Sequence, residues 1–195
     1  MAGTDQVKNI LMVGVGGQGV ILASEILSDV MMRAGYDVKK SEVHGMAQRG
    51  GSVSTHVRFG TKVYSPLIKK GDADILFSFE ILESVRYLDF LKKDALIIVN
   101  NQKVLPPSVT LGADIYPDNI PEILRARFAN VDMIDALETA KRAGNARALN
   151  VAFLGALSRY IEVDESIWKD VISSMLPPKL VEVNIKAFSL GRNQQ

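Results

Sequence analysis

Residues 9–22 read NILMVGVGGQGVIL, and how this stretch is read decides the fold. Ile10 to Val13 is a short, wholly apolar run ending in glycine, as expected of a strand buried on both faces. Gly14, Gly16 and Gly19 fit the spacing G-x-G-x-x-G, which lets a chain turn sharply after a strand and open a helix. From Val20 to Met32, Ile21, Glu25, Ser28 and Met32 fall on one side, with Val20, Ala23, Ile26, Leu27 and Val30 on another. This predicts an amphipathic helix closed by Gly35. Two readings of the turn stand side by side. In one, backbone amides and the helix amino terminus receive a phosphate. In the other, glycine only permits a tight turn and close packing of helix on strand.

Outward from this unit, strand and helix patterns alternate. YDVKKSEV (36–43) reads as a second strand and HGMAQRGGS (44–52) as a loop. In SVSTHVRFGTKVYSPL, Val53, Thr55, Val57 and Phe59 point one way while Ser54, His56 and Arg58 point the other. Gly60-Thr61 then reads as a hairpin tip with KVY returning, an antiparallel ribbon inserted in a mainly parallel sheet. DILFSF (74–79) and ALIIVN (95–100) are further buried strands with a helix over 81–91 between them. A proline-containing connection leads to the helix NIPEILRARF and the strand VDMIDA. The last third has helical spacing broken at Pro177-Pro178. The expected fold is a single α/β domain over residues 1–195. It has an open, Rossmann-like, mostly parallel sheet, helices on both faces, an inserted β-hairpin and a helical carboxy-terminal section.

Composition narrows the function. With 195 residues and 47% hydrophobic residues, one substantial core is expected, burying roughly 70% of the unfolded surface. The balance of 23 Lys and Arg against 22 Asp and Glu gives a net charge of +1, which argues against a nucleic-acid binder held by phosphate contacts. The chain has no cysteine, so it cannot hold a cluster or zinc on thiolates, form a disulfide or use a cysteine nucleophile. The start MAGTDQVKNI shows no basic segment followed by an apolar core, and no stretch approaches the roughly 20 apolar residues of a membrane helix. A cytoplasmic protein without a membrane segment is the plain reading.

A dinucleotide-binding domain places an acid about 20 residues beyond its glycines to take the ribose hydroxyls. Here that region reads Lys39, Lys40, Ser41, Glu42, and only Glu42 can serve. The lysines suit a ribose phosphate or a solvated strand end. The two histidines, His44 and His56, are the only candidates for a histidine-based triad. SEVHGMAQRGGSV (41–53) is the more unusual segment: His44, Gln48 and Arg49 stand among Gly45, Gly50 and Gly51. It is expected where the carboxyl end of the second strand meets the first glycine loop, the edge at which open α/β sheets bind ligands. A loop whose arginine is tied into a packed interface is the alternative.

Taken together, GVGGQG, SEVHGMAQRGGSV, YSPLIKKGDADILFSFE, GNARALNVAFLGAL and PPKLVEVNIKAFSLG resemble the gamma-type component of 2-oxoacid:ferredoxin oxidoreductases. Within that group the resemblance is to the indolepyruvate branch, and it spans residues 8 to 191. It implies a complex that converts aryl-2-oxoacids and coenzyme A to aryl-acetyl-CoA and CO2 while reducing ferredoxin. It places thiamine diphosphate, Mg and the 4Fe-4S clusters on an alpha-type partner subunit. It assigns no catalytic residue and no metal ligand to this chain. On matching positions it implies that Gly14, Gly16, Gly17, Gln18 and Gly19 line a cofactor loop, and that His44, Gln48, Arg49, Gly50 and Gly51 face substrate or partner. Arg49 stands out, because a guanidinium grips a carboxylate or phosphate bidentately; an Arg49 paired with a partner carboxylate is the competing role. A subunit for pyruvate or 2-oxoglutarate and a stand-alone nucleotide-binding module are the other readings.

Three lesser features complete the sequence reading. RAGNARALN (142–150) joins a glycine-asparagine turn to a helix start, where Asn145, Arg147 and Asn150 either reach the same edge or simply cap the helix. Trp168, spaced with Val171 and Ile172, reads as a core or interface anchor. Asp164 and Glu165 read as favourable charges at a helix start.

Overall fold

Seven of the eight residues of the first strand, β1 (Lys8–Val15), are buried, so the strand must lie in the middle of a sheet covered on both faces. The computed structural model, which describes residues 7–44 and 51–194 (at His44 the backbone only), shows this arrangement. The other strands are β2 (Asp37–His44), β3 (Ser52–Gly60), β4 (Ala73–Ser78), β5 (Leu91–Asn100) and β6 (Asn130–Ile134). They form one sheet in the order β2-β3-β1-β4-β5-β6. β1, β4, β5 and β6 pair in parallel, and β3 runs antiparallel between β2 and β1.

The helices are α1 (Val20–Arg33), α2 (Ile81–Arg86), α3 (Pro107–Thr110), α4 (Ile120–Arg127), α5 (Ala136–Ala143), α6 (Leu149–Ser158), α7 (Glu165–Met175) and α8 (Pro178–Arg192). The side chains of Ile10, Met12, Val57 and Ile75 enter one core with α1, α6 and α7; those of Leu11, Val13, Leu76 and Ile97 enter a second core with α2 and α4. α6 is apolar all round because it is buried all round: the Phe153 ring stacks on Phe77 of β4 at 3.9 Å, and α8 covers its far side. Trp168 is fully buried and stacks on Phe188, as its spacing predicts. Asp164 caps α7 by accepting the Ser166 N–H, and Glu165 pairs with Lys169 at 2.8 Å.

The structure corrects the sequence reading in three places. The ribbon exists as the pair β2/β3, but its two strands are joined through residues 45–51 and not at Gly60-Thr61. Both edges of β3 are already occupied, by β1 and by β2, so a strand returning from Thr61 has no edge to pair with. Residues 61–68 instead lie across the sheet face, where Arg58 Nη1 donates to the carbonyls of Ser65 and Leu67, and His56 Nδ1 accepts the Ile68 N–H. Val63 and Ile68 of this strap are buried. Second, the expected helix over 81–91 stops at Arg86 and is followed by a 3-10 turn at Leu88–Phe90.

The third correction concerns the site. β3 separates β2 from β1, and two strand spacings amount to roughly 10 Å. The end of β2 therefore does not meet the first glycine loop. The start of β3 does: the Gly16 N–H donates to the Gly51 carbonyl at 2.9 Å.

Candidate functional site

The carboxyl ends of β1, β4, β5 and β6 open onto one edge, and a polar network joins them. The Gln18 side chain is its centre. Its Oε1 accepts the Val15 N–H at 2.8 Å, closing the glycine turn on itself, while its Nε2 donates to the Phe79 carbonyl at 3.0 Å and to Gln102 Oε1 at 3.2 Å. Asn100 continues the chain by donating to the same Phe79 carbonyl and to Gln102, and its Oδ1 accepts the Ala136 N–H that starts α5. One amide side chain thus ties the turn after β1 to the ends of β4 and β5, and a second carries the tie to the helix after β6.

The glycines divide by role. A β-carbon at Gly14 would stand 2.8 Å from Val20 Cγ2 and 2.9 Å from both Gln18 Oε1 and Phe79 Cβ, so this position serves helix-on-strand packing. Gly19 has a φ of +79°, and a β-carbon there would meet Asn150 Nδ2 at 2.8 Å. Gly16 and Gln18 spend their amides on Gly51 and Val15. Among the described residues, the N–H groups of Gly17 and Gly19 donate to no protein acceptor, and Gly17 is exposed.

Those two amides border a cleft of about 480 Å³, lined by Gly17, Gln18, Gly19, Gln102, Leu137, Ala146, Arg147, Leu149 and Asn150. Gly144 ends α5 in the left-handed conformation, Asn145 caps the following turn by accepting the Arg147 N–H, and that turn delivers Arg147 and Asn150 to the cleft. Of the three residues singled out in RAGNARALN, Asn145 is the cap and the other two reach the ligand edge. The cleft therefore combines free amides, the positive end of α1, an exposed guanidinium and three amide side chains, which is the chemistry of a phosphate or carboxylate site.

A second cluster lies on the other side of the turn, and the sequence reading missed it. Ser52, the first residue of β3, donates to Glu83 Oε2 at 2.5 Å and lies 3.2 Å from the Tyr87 hydroxyl. Burial pushes the Glu83 carboxyl up, while Ser52 and the Arg86 guanidinium at 3.0 Å pull it down. Beside it, Glu80 is 1% exposed. Its Oε2 accepts the Glu83 N–H at 2.9 Å, and its Oε1 accepts the Tyr116 hydroxyl at 2.6 Å and the Val104 N–H at 3.1 Å. Burial, then the Glu80 hydrogen bond and charge, push the Tyr116 hydroxyl well above its ordinary range. An acid directly after the apolar strand DILFSF was the available signal, since that position faces the ligand edge of the sheet.

Of the other expected residues, Gln48, Arg49, Gly50 and the His44 side chain lie outside the described residues. His56 sits mid-sheet as an acceptor for Ile68, edge-on to Phe90 at 5.8 Å, so it is a packed histidine and no triad base. Lys39 pairs with Asp37 at 2.5 Å and Lys40 with Glu42 at 2.6 Å. Glu42, on the edge strand, is remote from the first glycine turn, and the ribose geometry of a dinucleotide domain is absent. Among the described residues no group of three His, Cys, Asp or Glu side chains is placed to hold a metal, and no helix is long and apolar enough to cross a membrane.

An open α/β sheet with a polar cleft at its carboxyl edge places this chain in the class of α/β domains that bind small ligands at that edge. The chain belongs to the pyruvate ferredoxin/flavodoxin oxidoreductase family, whose model matches residues 9–194. It is 44% identical over 190 residues to the indolepyruvate oxidoreductase subunit IorB of Archaeoglobus fulgidus, covering 95% of this chain and 94% of that one. It is 42% identical over 188 residues to the subunit of the same name from Thermococcus kodakarensis, covering 94% and 93%. The 2-oxoglutarate:ferredoxin oxidoreductase of Magnetococcus marinus shares the fold, with a TM-score of 0.74 and 24% identity over 97% of this chain and 31% of that one.

Proposed function

We propose that this chain is the non-redox subunit of an arylpyruvate:ferredoxin oxidoreductase acting on indolepyruvate. The observation that carries the reading is its similarity, end to end and above 40% identity, to two subunits of indolepyruvate oxidoreductases. The complex joins an aryl-2-oxoacid and coenzyme A, breaks the bond to the carboxyl carbon, releases CO2 and passes two electrons to ferredoxin, leaving the aryl-acetyl group on the CoA sulfur. Thiamine diphosphate with Mg would supply the electron sink for that cleavage, and 4Fe-4S clusters would supply the path for the electrons. These groups belong to an alpha-type partner, in keeping with a chain that has no cysteine.

The contribution of this chain is to hold coenzyme A. The Gly17 and Gly19 amides, Arg147 and Asn150 grip its anionic part at the carboxyl edge, and Arg49, whose guanidinium suits a carboxylate or phosphate, is a further candidate contact from its residue type. Gln18 keeps the turn rigid, so that these amides are aimed before the ligand arrives. The chain works as one domain in the cytoplasm. The test is co-expression with an alpha-type subunit and an assay of CoA-dependent dye reduction with indolepyruvate, phenylpyruvate, pyruvate and 2-oxoglutarate. Arylpyruvates should be preferred and activity should require this chain. Undiminished activity without it refutes the reading; preference for pyruvate or 2-oxoglutarate moves it to a sister enzyme.

A further inference from the structure

The turn after β1 is held at two points. Gln18 closes it from within, by accepting the Val15 N–H. The start of β3 holds it from outside: the Gly16 N–H donates to the Gly51 carbonyl at 2.9 Å, and the next residue, Ser52, stands opposite Val15 in the ladder. Gly17 lies between these holds. A β-carbon there would meet nothing within 4 Å, so packing does not orient its amide; the bonds made by its neighbours do.

Ser52 is held in turn by Glu83. Glu83 Oε2 accepts the Ser52 hydroxyl at 2.5 Å, and Arg86 Nη1 stands 3.0 Å from the other oxygen. The Tyr87 hydroxyl lies 3.2 Å from Ser52 Oγ. Glu83 belongs to α2, which follows β4, and β1 runs between β3 and β4 in the sheet. The Ser52–Glu83 bond therefore crosses the end of β1, where the chain leaves the strand for the turn.

We infer that Glu83 is a positioning residue for the coenzyme A cleft: through Ser52 it fixes the start of β3 against the glycine turn and so sets the aim of the Gly17 and Gly19 amides. The inference rests on the proposed function, because it takes coenzyme A as the ligand of the cleft. The path is short and continuous, from Glu83 to the Ser52 hydroxyl, along one peptide to the Gly51 carbonyl, and across to the Gly16 N–H that precedes the Gly17 amide. Glu83 is itself fixed at both ends, since its N–H donates to Glu80 Oε2 at 2.9 Å and its carboxylate is shared between Ser52 and Arg86. A group locked in this way can hold a neighbouring site to a narrow geometry. Glu83 is also 3% exposed, and a carboxylate costs more to bury than an apolar side chain of similar size. A contact that adds little to stability yet spans three strands fits a role in geometry.

The test is steady-state kinetics of the reconstituted complex, with CoA and indolepyruvate varied in turn, for Ser52→Ala, Glu83→Leu, the double variant and Glu83→Gln, beside Arg147→Ala. Ser52→Ala and Glu83→Leu should each raise the KM for CoA by about tenfold, with kcat and the KM for indolepyruvate nearly unchanged. The double variant should be no worse than either single one, because the two side chains act as a unit. Glu83→Gln keeps an acceptor oxygen for Ser52 and should stay within about threefold of the wild type. If Glu83→Leu does not fold, Ser52→Ala, which removes one hydroxyl, and Glu83→Gln carry the comparison. A KM for CoA within about twofold of the wild type in Ser52→Ala, while Arg147→Ala raises it, overturns the inference alone. So do losses that multiply to about a hundredfold in the double variant, or equal losses in kcat and in the KM for indolepyruvate. A KM for CoA unaltered by Arg147→Ala and by Ser52→Ala alike refutes the coenzyme A reading and the inference together.

Discussion

Glu80→Ala gives the sharpest physical test of the edge network. The carboxylate is 1% exposed and accepts three donors: the Tyr116 hydroxyl, the Val104 N–H and the Glu83 N–H. Truncation leaves all three without a partner in or near the core. A stranded buried donor costs about 1–3 kcal/mol, and a lost helix cap about 1 kcal/mol. Taking the low end for the partly buried Val104 N–H and the cap, and a middle value for Tyr116, the loss is about 4 kcal/mol. For a chain of this length that lowers the unfolding midpoint by roughly 10 °C. Two readouts separate this mechanism from general damage. The Tyr116 hydroxyl, pushed up by burial and then by Glu80, should titrate closer to the ordinary tyrosine range in the variant, followed by ultraviolet absorbance. The segment 105–115, no longer held at Val104 and Tyr116, should become the first site of limited proteolysis. Glu80→Gln, which keeps one acceptor oxygen, should lose about half as much. A Glu80→Ala protein that loses under about 1 kcal/mol, or whose segment 105–115 stays resistant, refutes the reasoning.

Three further outcomes are expected. Burial, then the Arg58 charge, lower the His56 pKa below its ordinary 6.5, so the folded state favours the neutral ring that accepts from Ile68. That stability is fully present above about pH 6.5 and is lost as pH falls toward the folded value; urea midpoints at falling pH should drop for the wild type and less steeply for His56→Asn. Gly14→Ala forces a β-carbon to within 2.8 Å of Val20 Cγ2 and should cost about 1–3 kcal/mol, read by urea denaturation; a neutral result would show that α1 is free to shift away from β1. Gln18→Leu fills the same space but strands the Val15 N–H, and should destabilise by about 2 kcal/mol. The same variant should weaken CoA-dependent turnover of the reconstituted complex, because the turn is no longer aimed.

The parts of this fold governed by near neighbours were legible in the sequence. An apolar run into Gly14, a helix from Val20 and the stop at Gly35 each follow from local geometry, and the strand–turn–helix unit appears as expected. The position of the hairpin tip did not follow, because Gly60-Thr61 has good turn chemistry and nothing local shows that both edges of β3 are taken. The same strand order removed Glu42 from the glycine loop, a change of roughly 10 Å that no spacing rule along the chain records. At the site, Gly17, Gly19, Arg147 and Asn150 were each visible as residues, and the fold shows that they share one cleft. Glu80 was visible as an acid at a strand end, but its role was not, because its partners Val104 and Tyr116 lie 24 and 36 residues away. A buried carboxylate at a strand end acquires meaning only when such distant donors converge on it.

The central claim is that the carboxyl-edge cleft of this chain holds coenzyme A for the arylpyruvate complex. The most direct measurement is the steady-state kinetics of the reconstituted complex carrying Arg147→Ala, with CoA and indolepyruvate varied in turn. Arg147 is exposed at the cleft and, among the described residues, donates only its backbone N–H, to Asn145, so its loss should leave folding and assembly intact. The account predicts a KM for CoA raised by about 10–100-fold, the worth of a charge-assisted contact, with kcat and the KM for indolepyruvate nearly unchanged. An unaltered KM for CoA in a fully assembled complex would contradict it.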